Sequence, residues 1–264
     1  MIRENFRRFA ERATLALLRR IAPRAPDLFV SQAMDVASAP MVERELDRLS
    51  ANGVLTVRQG PFKGLKLPRQ SSGTALAAKV LGTYEAQLAP WVETIVASRP
   101  ATIVNVGCSD GYYLNGFAMR LPEARIVGYD ISARARDEAA KVAELNRVTV
   151  EIRGEATATS LDADLARGGV LIVDIEGAEV ALLDPVAAPS LGRATILVEM
   201  HDLLVAGATP LLVSRFAPTH DVQILEQRVV LPTGFDRLPE NVRLALVCEH
   251  RDGAQQWVLF VPKG

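Results

Sequence analysis

Short apolar runs alternate with helical patterns over most of the chain. Runs rich in valine and isoleucine predict strands at 102–107, 125–130, 147–152, 169–174 and 195–200. Apolar residues at helical spacing predict helices that begin near residues 111, 133, 157, 177 and 208. Continuous apolar runs are typical of strands buried on both faces, and their alternation with helices indicates a parallel sheet between two helical layers. The pattern therefore predicts an α/β, doubly wound fold.

The end of the chain departs from this alternation. Residues 221–231 read as a strand, 240–250 as a helix and 256–262 as a final strand, which brings the sheet to seven strands. A late strand without a crossover helix of its own often enters such a sheet antiparallel, at or near an edge. We therefore expect a mostly parallel sheet with an antiparallel strand close to one side.

The first 74 residues form a separate extension in this prediction, and residues 75–264 form the main domain. Within the extension, residues 41–49 have a helical pattern, and Gly60-Pro61 predicts the turn of a short hairpin. A further helical region follows at 74–98. We expect the extension to cover the substrate site or to make dimer contacts.

Residues 1–24 predict an amphipathic, basic helix. They hold seven arginines and two glutamates, a local charge of +5, while the whole chain carries −1. Three interpretations compete: a helix packed on its own domain or on a dimer mate, a helix in peripheral contact with a membrane surface, and a cleavable presequence. The packed helix is the favoured one.

Composition excludes several classes of protein. Lysine and arginine (30) balance aspartate and glutamate (31), which argues against a nucleic-acid-binding protein. Cys108 and Cys248 lack the spacing of a metal or redox motif, so a reduced, cytoplasmic setting is expected. No apolar run is long enough to span a bilayer.

A glycine-rich turn follows the first strand of the main domain. Gly107 lies at the tight turn and Gly111 at the start of the next helix, and Asp130 ends the second strand. Ligands bind at the carboxyl ends of the strands in such sheets, where a carboxylate can accept hydrogen bonds from ribose hydroxyls. The turn and the strand ends predict a cofactor site that includes Asn105, Gly107, Cys108, Ser109, Asp110, Gly111, Tyr112, Asp130, Ile131, Glu155, Ala156 and Asp174.

The turn lacks the middle glycine of a dinucleotide fingerprint. Ser109 and Asp110 occupy it instead, and a carboxylate there would repel a pyrophosphate, which disfavours a nicotinamide-dependent oxidoreductase. The same carboxylate suits an ammonium group, such as that of S-adenosylmethionine (SAM). Glu155 and Ala156, after the third strand, are expected near the adenine amine.

Acidic residues and a histidine follow the fourth and fifth strands. The sequence reads Asp174-Ile175-Glu176-Gly177-Ala178-Glu179 after the fourth strand and Glu199-Met200-His201-Asp202 at the end of the fifth. Together with the glycine turn and Asp130, these residues resemble the FkbM-type methyltransferases, a branch of the Rossmann-like SAM-dependent superfamily. Gly82-Thr83-Tyr84-Glu85 is similar to a family segment that helps to close the cofactor pocket, so the resemblance adds Glu85 to the predicted cofactor site.

The resemblance covers roughly residues 60–264. It implies a Rossmann-like methyltransferase domain that uses SAM to methylate an oxygen, on a sugar or another small hydroxylated metabolite. Asn105 is a departure, because many relatives have an acidic residue at this position.

A hydroxyl acceptor needs its proton removed. His201 is the candidate general base, since an imidazole titrates close to neutral pH and Glu199 or Asp202 could orient its ring. Asp174 would face the methionine part of SAM or the acceptor. In a second interpretation His201 is hydrogen-bonded to Glu199 and takes no part in catalysis.

Two further alternatives concern the acidic residues. Asp174, Glu176, Glu199 and His201 could hold Mg²⁺ or Mn²⁺, which is disfavoured because carboxylates near a cationic cofactor need no metal to explain them. Glu176 and Glu179 could simply cap the following helix. His220 and His250 are interpreted as surface residues, and Cys108 as a small filler of the turn.

A non-catalytic cofactor-binding or assembly module is the competing function. Such a module has no reason to gather titratable groups at the strand ends, so an enzyme is favoured.

Overall fold

The computed structural model describes residues 39–71, 75–238, 240–249 and 256–263. The predicted helix of residues 1–24 lies outside these residues. The strands are β1 (Val54–Thr56), β2 (Lys66–Pro68), β3 (Thr102–Val106), β4 (Arg125–Tyr129), β5 (Glu151–Arg153), β6 (Gly169–Val173), β7 (Ala194–Met200), β8 (His220–Glu226) and β9 (Gln256–Pro262). The helices are α1 (which includes residues 39–49), α2 (Leu76–Leu81), α3 (Ala89–Ser98), α4 (Tyr112–Arg120), α5 (Ala133–Asn146), α6 (Ala158–Asp164), α7 (Glu179–Leu182), α8 (Ala208–Phe216) and α9 (Glu240–Leu246). Short 3-10 helices lie at Ala86–Leu88 and Pro189–Arg193.

Seven strands form one sheet in the order β5-β4-β3-β6-β7-β9-β8. The first five of these are mutually parallel, and β9 pairs antiparallel with both β7 and β8. The chain therefore has the predicted α/β, doubly wound, Rossmann-like fold. The prediction for the final strand is also confirmed, because β9 enters antiparallel one place from the edge.

Both faces of the sheet are buried, as the continuous apolar runs require. In β3, Ile103 points into one hydrophobic core and Val104 into the other, and both are fully buried. Neighbouring residues of a strand point to opposite faces, so the five inner strands (β4, β3, β6, β7 and β9) each contribute to both cores. This arrangement leaves the carboxyl ends of the strands as the place where polar groups meet.

The described part of the N-terminal extension packs into one of these cores. Phe62, between β1 and β2, makes edge-to-face contacts with Tyr112 and Phe117 of α4. The Asn146 side chain accepts a hydrogen bond from the Lys66 N–H and donates one to the Lys66 carbonyl, each at 2.8 Å. The hairpin thus shares its core with the main domain, and its role as a cover for the substrate site stays a prediction.

Some predicted elements differ in length. The strand predicted at 221–231 ends at Glu226, where its pairing with β9 ends at Gln256. Val229 and Val230 extended the apolar pattern, but they are exposed and pair with no strand in the described part of the chain. The helix predicted at 240–250 ends at Leu246. The length of the strand depends on tertiary pairing, which the local pattern does not contain.

His220 is not at the surface, so that prediction was wrong. Its ring is 1% exposed, Nε2 lies 3.0 Å from the Ala194 carbonyl oxygen and Nδ1 lies 2.8 Å from the Thr219 hydroxyl. Both ring nitrogens therefore have partners, which removes the cost of burying them. His250 lies outside the described residues. In the described part of the chain, no helix is both long and apolar enough to cross a membrane.

Candidate functional site

The glycine turn joins β3 to α4 at the carboxyl edge of the sheet. Gly107 has φ +76°, and a Cβ atom there would lie 1.7 Å from the carbonyl oxygen of Asp174. Gly111, with φ +82°, is similarly crowded by Asn115 and Ala139. Only glycine fits such positions, because it has no Cβ and tolerates positive φ. The turn therefore lies directly against the end of β6, which brings Asp174 next to it.

Asp130 at the end of β4 is fixed by backbone hydrogen bonds. Its Oδ2 accepts the N–H of Ser109 at 2.9 Å, and its Oδ1 accepts the N–H of Ser132 at 2.8 Å. The first bond ties the carboxylate to the glycine turn, and the second ties it to the start of α5. Each oxygen keeps further lone-pair capacity for a ligand.

A cavity of about 580 Å³ opens at the carboxyl ends of the parallel strands. Its lining includes six of the predicted cofactor residues: Gly107, Asp130, Ile131, Glu155, Ala156 and Asp174. Its lining also includes residues that sequence reasoning missed, at the start of α6 (Thr157, Ala158) and in α7 (Ala181, Leu182). Small and aliphatic side chains on a helix carry no sequence signal for a ligand, so only the structure could place them here.

The other predicted cofactor residues lie outside the cavity lining: Glu85, Asn105, Cys108, Ser109, Asp110, Gly111 and Tyr112. Asn105 is buried in β3, and Tyr112 packs against Phe62 and Tyr84. Cys108 is buried, and its burial together with the charge of Asp130 raises the pKa of the thiol to about 12. A thiol that stays protonated is a poor nucleophile, which agrees with its interpretation as a small filler.

Asp110 has a protein partner that the sequence did not reveal. Lys79 Nζ lies 2.9 Å from both carboxylate oxygens, and the Ser71 hydroxyl donates to Oδ2 at 3.2 Å. Asp110 is 2% exposed and Lys79 3%. The carboxylate thus meets the ammonium group of Lys79 and holds α2 against the glycine turn, while its expected contact with the ammonium group of a cofactor stays a prediction. A lysine within the otherwise apolar, buried face of α2 was the available signal.

A half-buried carboxylate, that of Glu249, lies beside Glu85. Glu85 accepts a hydrogen bond from the Tyr113 hydroxyl, and its N–H donates to Glu249 Oε1 at 2.8 Å. Gln227 donates to the other oxygen of Glu249 at 3.2 Å. Burial, together with the nearby charge of Glu85, raises the pKa of Glu249 to about 7.

This shifted pKa makes stability depend on pH. A carboxyl whose pKa is raised on folding stabilises the protein while it is protonated, and that contribution is lost as the pH rises through the folded-state value. We expect Glu249→Gln to be more stable than wild type at pH 8 by about 3 kcal/mol and to lose most of this advantage near pH 5. Denaturant unfolding at both pH values measures the difference. The matched control is Glu226→Gln at an exposed position, and parallel pH profiles for Glu249→Gln and wild type would contradict the prediction.

His201, directly after β7, is held by a buried glutamate. Its Nδ1 lies 2.7 Å from Oε1 of Glu179, which is fully buried at the start of α7. The same oxygen accepts the N–H groups of Ile175 at 3.3 Å and Gly177 at 3.1 Å. One carboxylate thus fixes both the imidazole ring and the loop that follows β6.

The other ring nitrogen faces two more carboxylates. Nε2 of His201 lies 3.3 Å from Glu176 Oε2 and 3.7 Å from Asp174 Oδ1. Burial lowers the pKa of His201, but the Glu179 hydrogen bond and the charges of the three carboxylates outweigh it and raise the pKa above its usual value. Burial also opposes ionisation of Glu179, yet its bonds to His201 and the backbone lower its pKa. The cluster therefore favours a positive charge at Nε2.

The residues expected to orient His201 do not do so. Asp202 accepts the Thr209 N–H at 3.1 Å and bonds the Thr209 hydroxyl, at the start of α8. Glu199 is buried within β7, opposite Trp257 of β9. Glu179, considered from the sequence only as a helix cap, is the partner. Glu179 lies four residues after Ile175 and accepts its N–H, which fits the capping interpretation. Its contact with His201 depends on the pairing of β6 with β7.

No family model and no curated protein matches the sequence. Solved structures of similar fold include the O-methyltransferase TomG from Streptomyces achromogenes, involved in tomaymycin synthesis and determined with SAM. It is 19% identical, with a TM-score of 0.44 over 67% of this chain and 81% of that chain. An O-methyltransferase from Bacillus cereus in complex with SAH is 15% identical, with a TM-score of 0.45 over 65% and 78%. Cofactor-bound Rv0187 from MTB is 14% identical, with a TM-score of 0.46 over 88% and 89%.

Proposed function

We propose that this protein is a SAM-dependent methyltransferase that transfers a methyl group to a hydroxyl oxygen of a small molecule. The observation that carries the proposal is that two groups of residues lie side by side at the carboxyl ends of the strands. There the glycine turn, the Asp130 carboxylate and the cavity adjoin the His201 cluster, with Asp174 common to the cavity and the cluster. A cofactor pocket beside convergent titratable groups is the arrangement expected of an enzyme.

The cavity fits the adenosine part of SAM in its chemistry. Asp130 offers carboxylate oxygens for ribose hydroxyls, and Ile131 beside it is 81% exposed and free to cover an aromatic base. Gly107 lets the backbone turn come close to the bound molecule. Asp110 is paired with Lys79, so the proposal does not depend on a contact between Asp110 and the ammonium group of SAM. When bound, SAM supplies an already activated methyl group, so the protein's own part is alignment of the acceptor and exclusion of water.

The acceptor is proposed to be a sugar or another hydroxylated small metabolite, as the FkbM-type resemblance implies. If no cation is bound to the cluster, the proton of the acceptor's hydroxyl would go to Nε2 of His201, the general base predicted from the sequence. Glu179 supports this role, because a carboxylate on Nδ1 sets the tautomer that leaves Nε2 able to accept. A second candidate is metal-assisted methyl transfer, which is favoured by the close approach of Asp174 and Glu176 to the same nitrogen.

The cofactor assignment is tested by calorimetry with S-adenosylhomocysteine (SAH) and NAD. We expect SAH to bind at micromolar concentration and NAD not to bind. Asp130→Asn should weaken SAH binding about 10- to 100-fold, because hydrogen bonds to a charged group contribute roughly 1.5–3 kcal/mol. Asp137→Asn, at an exposed position of α5, is the matched control. Binding of NAD in place of SAH would overturn the proposal.

A methyl-transfer assay distinguishes an enzyme from a non-catalytic module with this fold. Radiolabelled methyl from SAM should appear in a small-molecule fraction of a metabolite extract. Binding of SAH without any transfer would favour the module. The cytoplasmic location, the dimer contact and the peripheral membrane contact of residues 1–24 stay predictions.

A further inference from the structure

We propose that Asp174, Glu176 and His201 form a binding site for one divalent cation. The ligand atoms would be one carboxylate oxygen from each acidic residue and Nε2 of the histidine. These three atoms lie within 4.8 Å of one another. The site itself follows from this cluster, and only its use in methyl transfer rests on the proposed function.

The distances suit a cation with mixed oxygen and nitrogen ligands. A cation about 2.1 Å from each donor holds neighbouring donors roughly 3.0–3.4 Å apart. Nε2 lies 3.3 Å from Glu176 and 3.7 Å from Asp174. The first distance lies within this range and the second is longer. The Asp174 and Glu176 side chains are 32% and 75% exposed, so small rotations of both can complete the geometry without disturbing the core. One face of the site is open to the cavity, since Asp174 and Glu176 both line it.

The histidine gives the independent indication of a ligand. His201 is 4% exposed, and its Nε2 has no hydrogen-bond partner among the described residues. Because Nδ1 lies on the Glu179 carboxylate at 2.7 Å, Nδ1 carries a proton, and Nε2 is the ring atom left for a second proton or for a cation. Two carboxylates lie 3.3 and 3.7 Å from Nε2 and repel a lone pair there unless a positive charge lies between them. A carboxylate on the far nitrogen is also the usual support of a metal-bound histidine.

The local charge points in the same direction. Three carboxylates, those of Asp174, Glu176 and Glu179, surround one imidazole. Within residues 39–71, 75–238, 240–249 and 256–263, no lysine or arginine forms an ion pair with Glu176 or Glu179. A protonated imidazole offsets only one of the charges of Glu176 and Glu179, whereas a divalent cation offsets both. Two oxygens and one imidazole nitrogen are donors that Mn²⁺ and Zn²⁺ both accept.

Within the proposed reaction, the cation would hold the acceptor oxygen and lower the pKa of its hydroxyl, whose proton would pass to water. The oxygen would form its bond to the methyl carbon as the bond from that carbon to the sulfur of SAM breaks, which leaves SAH. His201 would then act as a ligand of the cation. A chelator distinguishes this mechanism from direct proton transfer to Nε2. Removal of the cation should abolish methyl transfer if the cation holds the acceptor. It should leave methyl transfer unchanged if Nε2 takes the proton directly.

Mn²⁺ is the probe for the test, which needs neither SAM nor an acceptor. The full chain is stripped with EDTA and titrated with Mn²⁺, and electron paramagnetic resonance counts the bound ions. We expect one saturable site per chain and an electron spin echo signal from a coordinated nitrogen. Glu176→Gln should weaken binding at least tenfold, and Glu179→Gln about 10- to 100-fold through the histidine. Glu123→Gln, on an exposed turn before β4, should bind like wild type.

The outcomes separate this site from the proposed function. Absence of saturable Mn²⁺ binding, binding without the nitrogen signal, or wild-type affinity in Glu176→Gln each overturns the cation site. Calorimetry with SAH on the same samples reports the cofactor site independently. Mn²⁺ binding without SAH binding would support the cation site and refute the methyltransferase proposal. The exposed position of Glu176 keeps that variant folded, so a loss of binding reports the site.

Discussion

Replacing His201 by alanine is expected to reduce methyl transfer at least 100-fold while SAH affinity changes less than about threefold. Removal of a positioned proton acceptor typically costs 10²- to 10⁴-fold, and loss of a cation ligand removes activation of the same oxygen. Cofactor binding should persist because His201 is not part of the cavity lining. Radiolabelled transfer into a metabolite extract and calorimetry with SAH measure the two effects.

The neighbours of His201 supply the controls for this prediction. Glu179→Gln should lower transfer as well, because the imidazole then loses the carboxylate on Nδ1. Asp202→Asn should leave transfer close to wild type, since Asp202 bonds Thr209 rather than the imidazole. Transfer by His201→Ala near the wild-type rate would remove this residue from the chemistry altogether.

Gly107→Ala is expected to destabilise the fold by about 4 kcal/mol or more, which places it among the most damaging single substitutions. The added Cβ would lie 1.7 Å from the Asp174 carbonyl oxygen, a backbone atom that cannot rotate away. The residue would also be held at φ +76°, which costs a further 1–2 kcal/mol or so for a non-glycine residue. Relief of the clash would move the end of β3 away from the end of β6.

Gly192→Ala is the matched control for Gly107→Ala. A Cβ atom added at Gly192 would have no heavy atom within 4 Å beyond its immediate chain neighbours, and the φ of this residue is not positive. This substitution should change stability by less than about 0.5 kcal/mol. Thermal and denaturant unfolding measure both variants. A Gly107→Ala protein of wild-type stability would show that the close approach of the turn to β6 is absent in solution.

The sequence predicted the sheet because burial on both faces leaves a direct mark on the chain. Continuous apolar runs identified the strands, and the missing crossover helix predicted the antiparallel entry of β9. The sequence also predicted the tight turn at Gly107, the helix start at Gly111 and the carboxylate of Asp130 after its strand, since these are local features. Each depends on residues close together in the chain.

The partners of the charged groups could not be predicted in this way. Lys79 meets Asp110 across 31 positions, and Glu179 meets His201 across 22. From the sequence, Asp110 was expected to face a ligand, and Glu199 or Asp202 to orient the histidine. These expectations considered only residues adjacent in the chain or in the motif.

The sequence by itself thus determined the order of the elements, the carboxyl edge where ligands bind, and the set of titratable residues that gather there. The tertiary structure alone decided which of those residues meet. The physical reason is that strand burial and turn geometry depend on neighbouring residues, whereas the pairing of charges depends on strand order. Only the placement of β6 beside both β3 and β7 brings the glycine turn, Asp174 and His201 to one site.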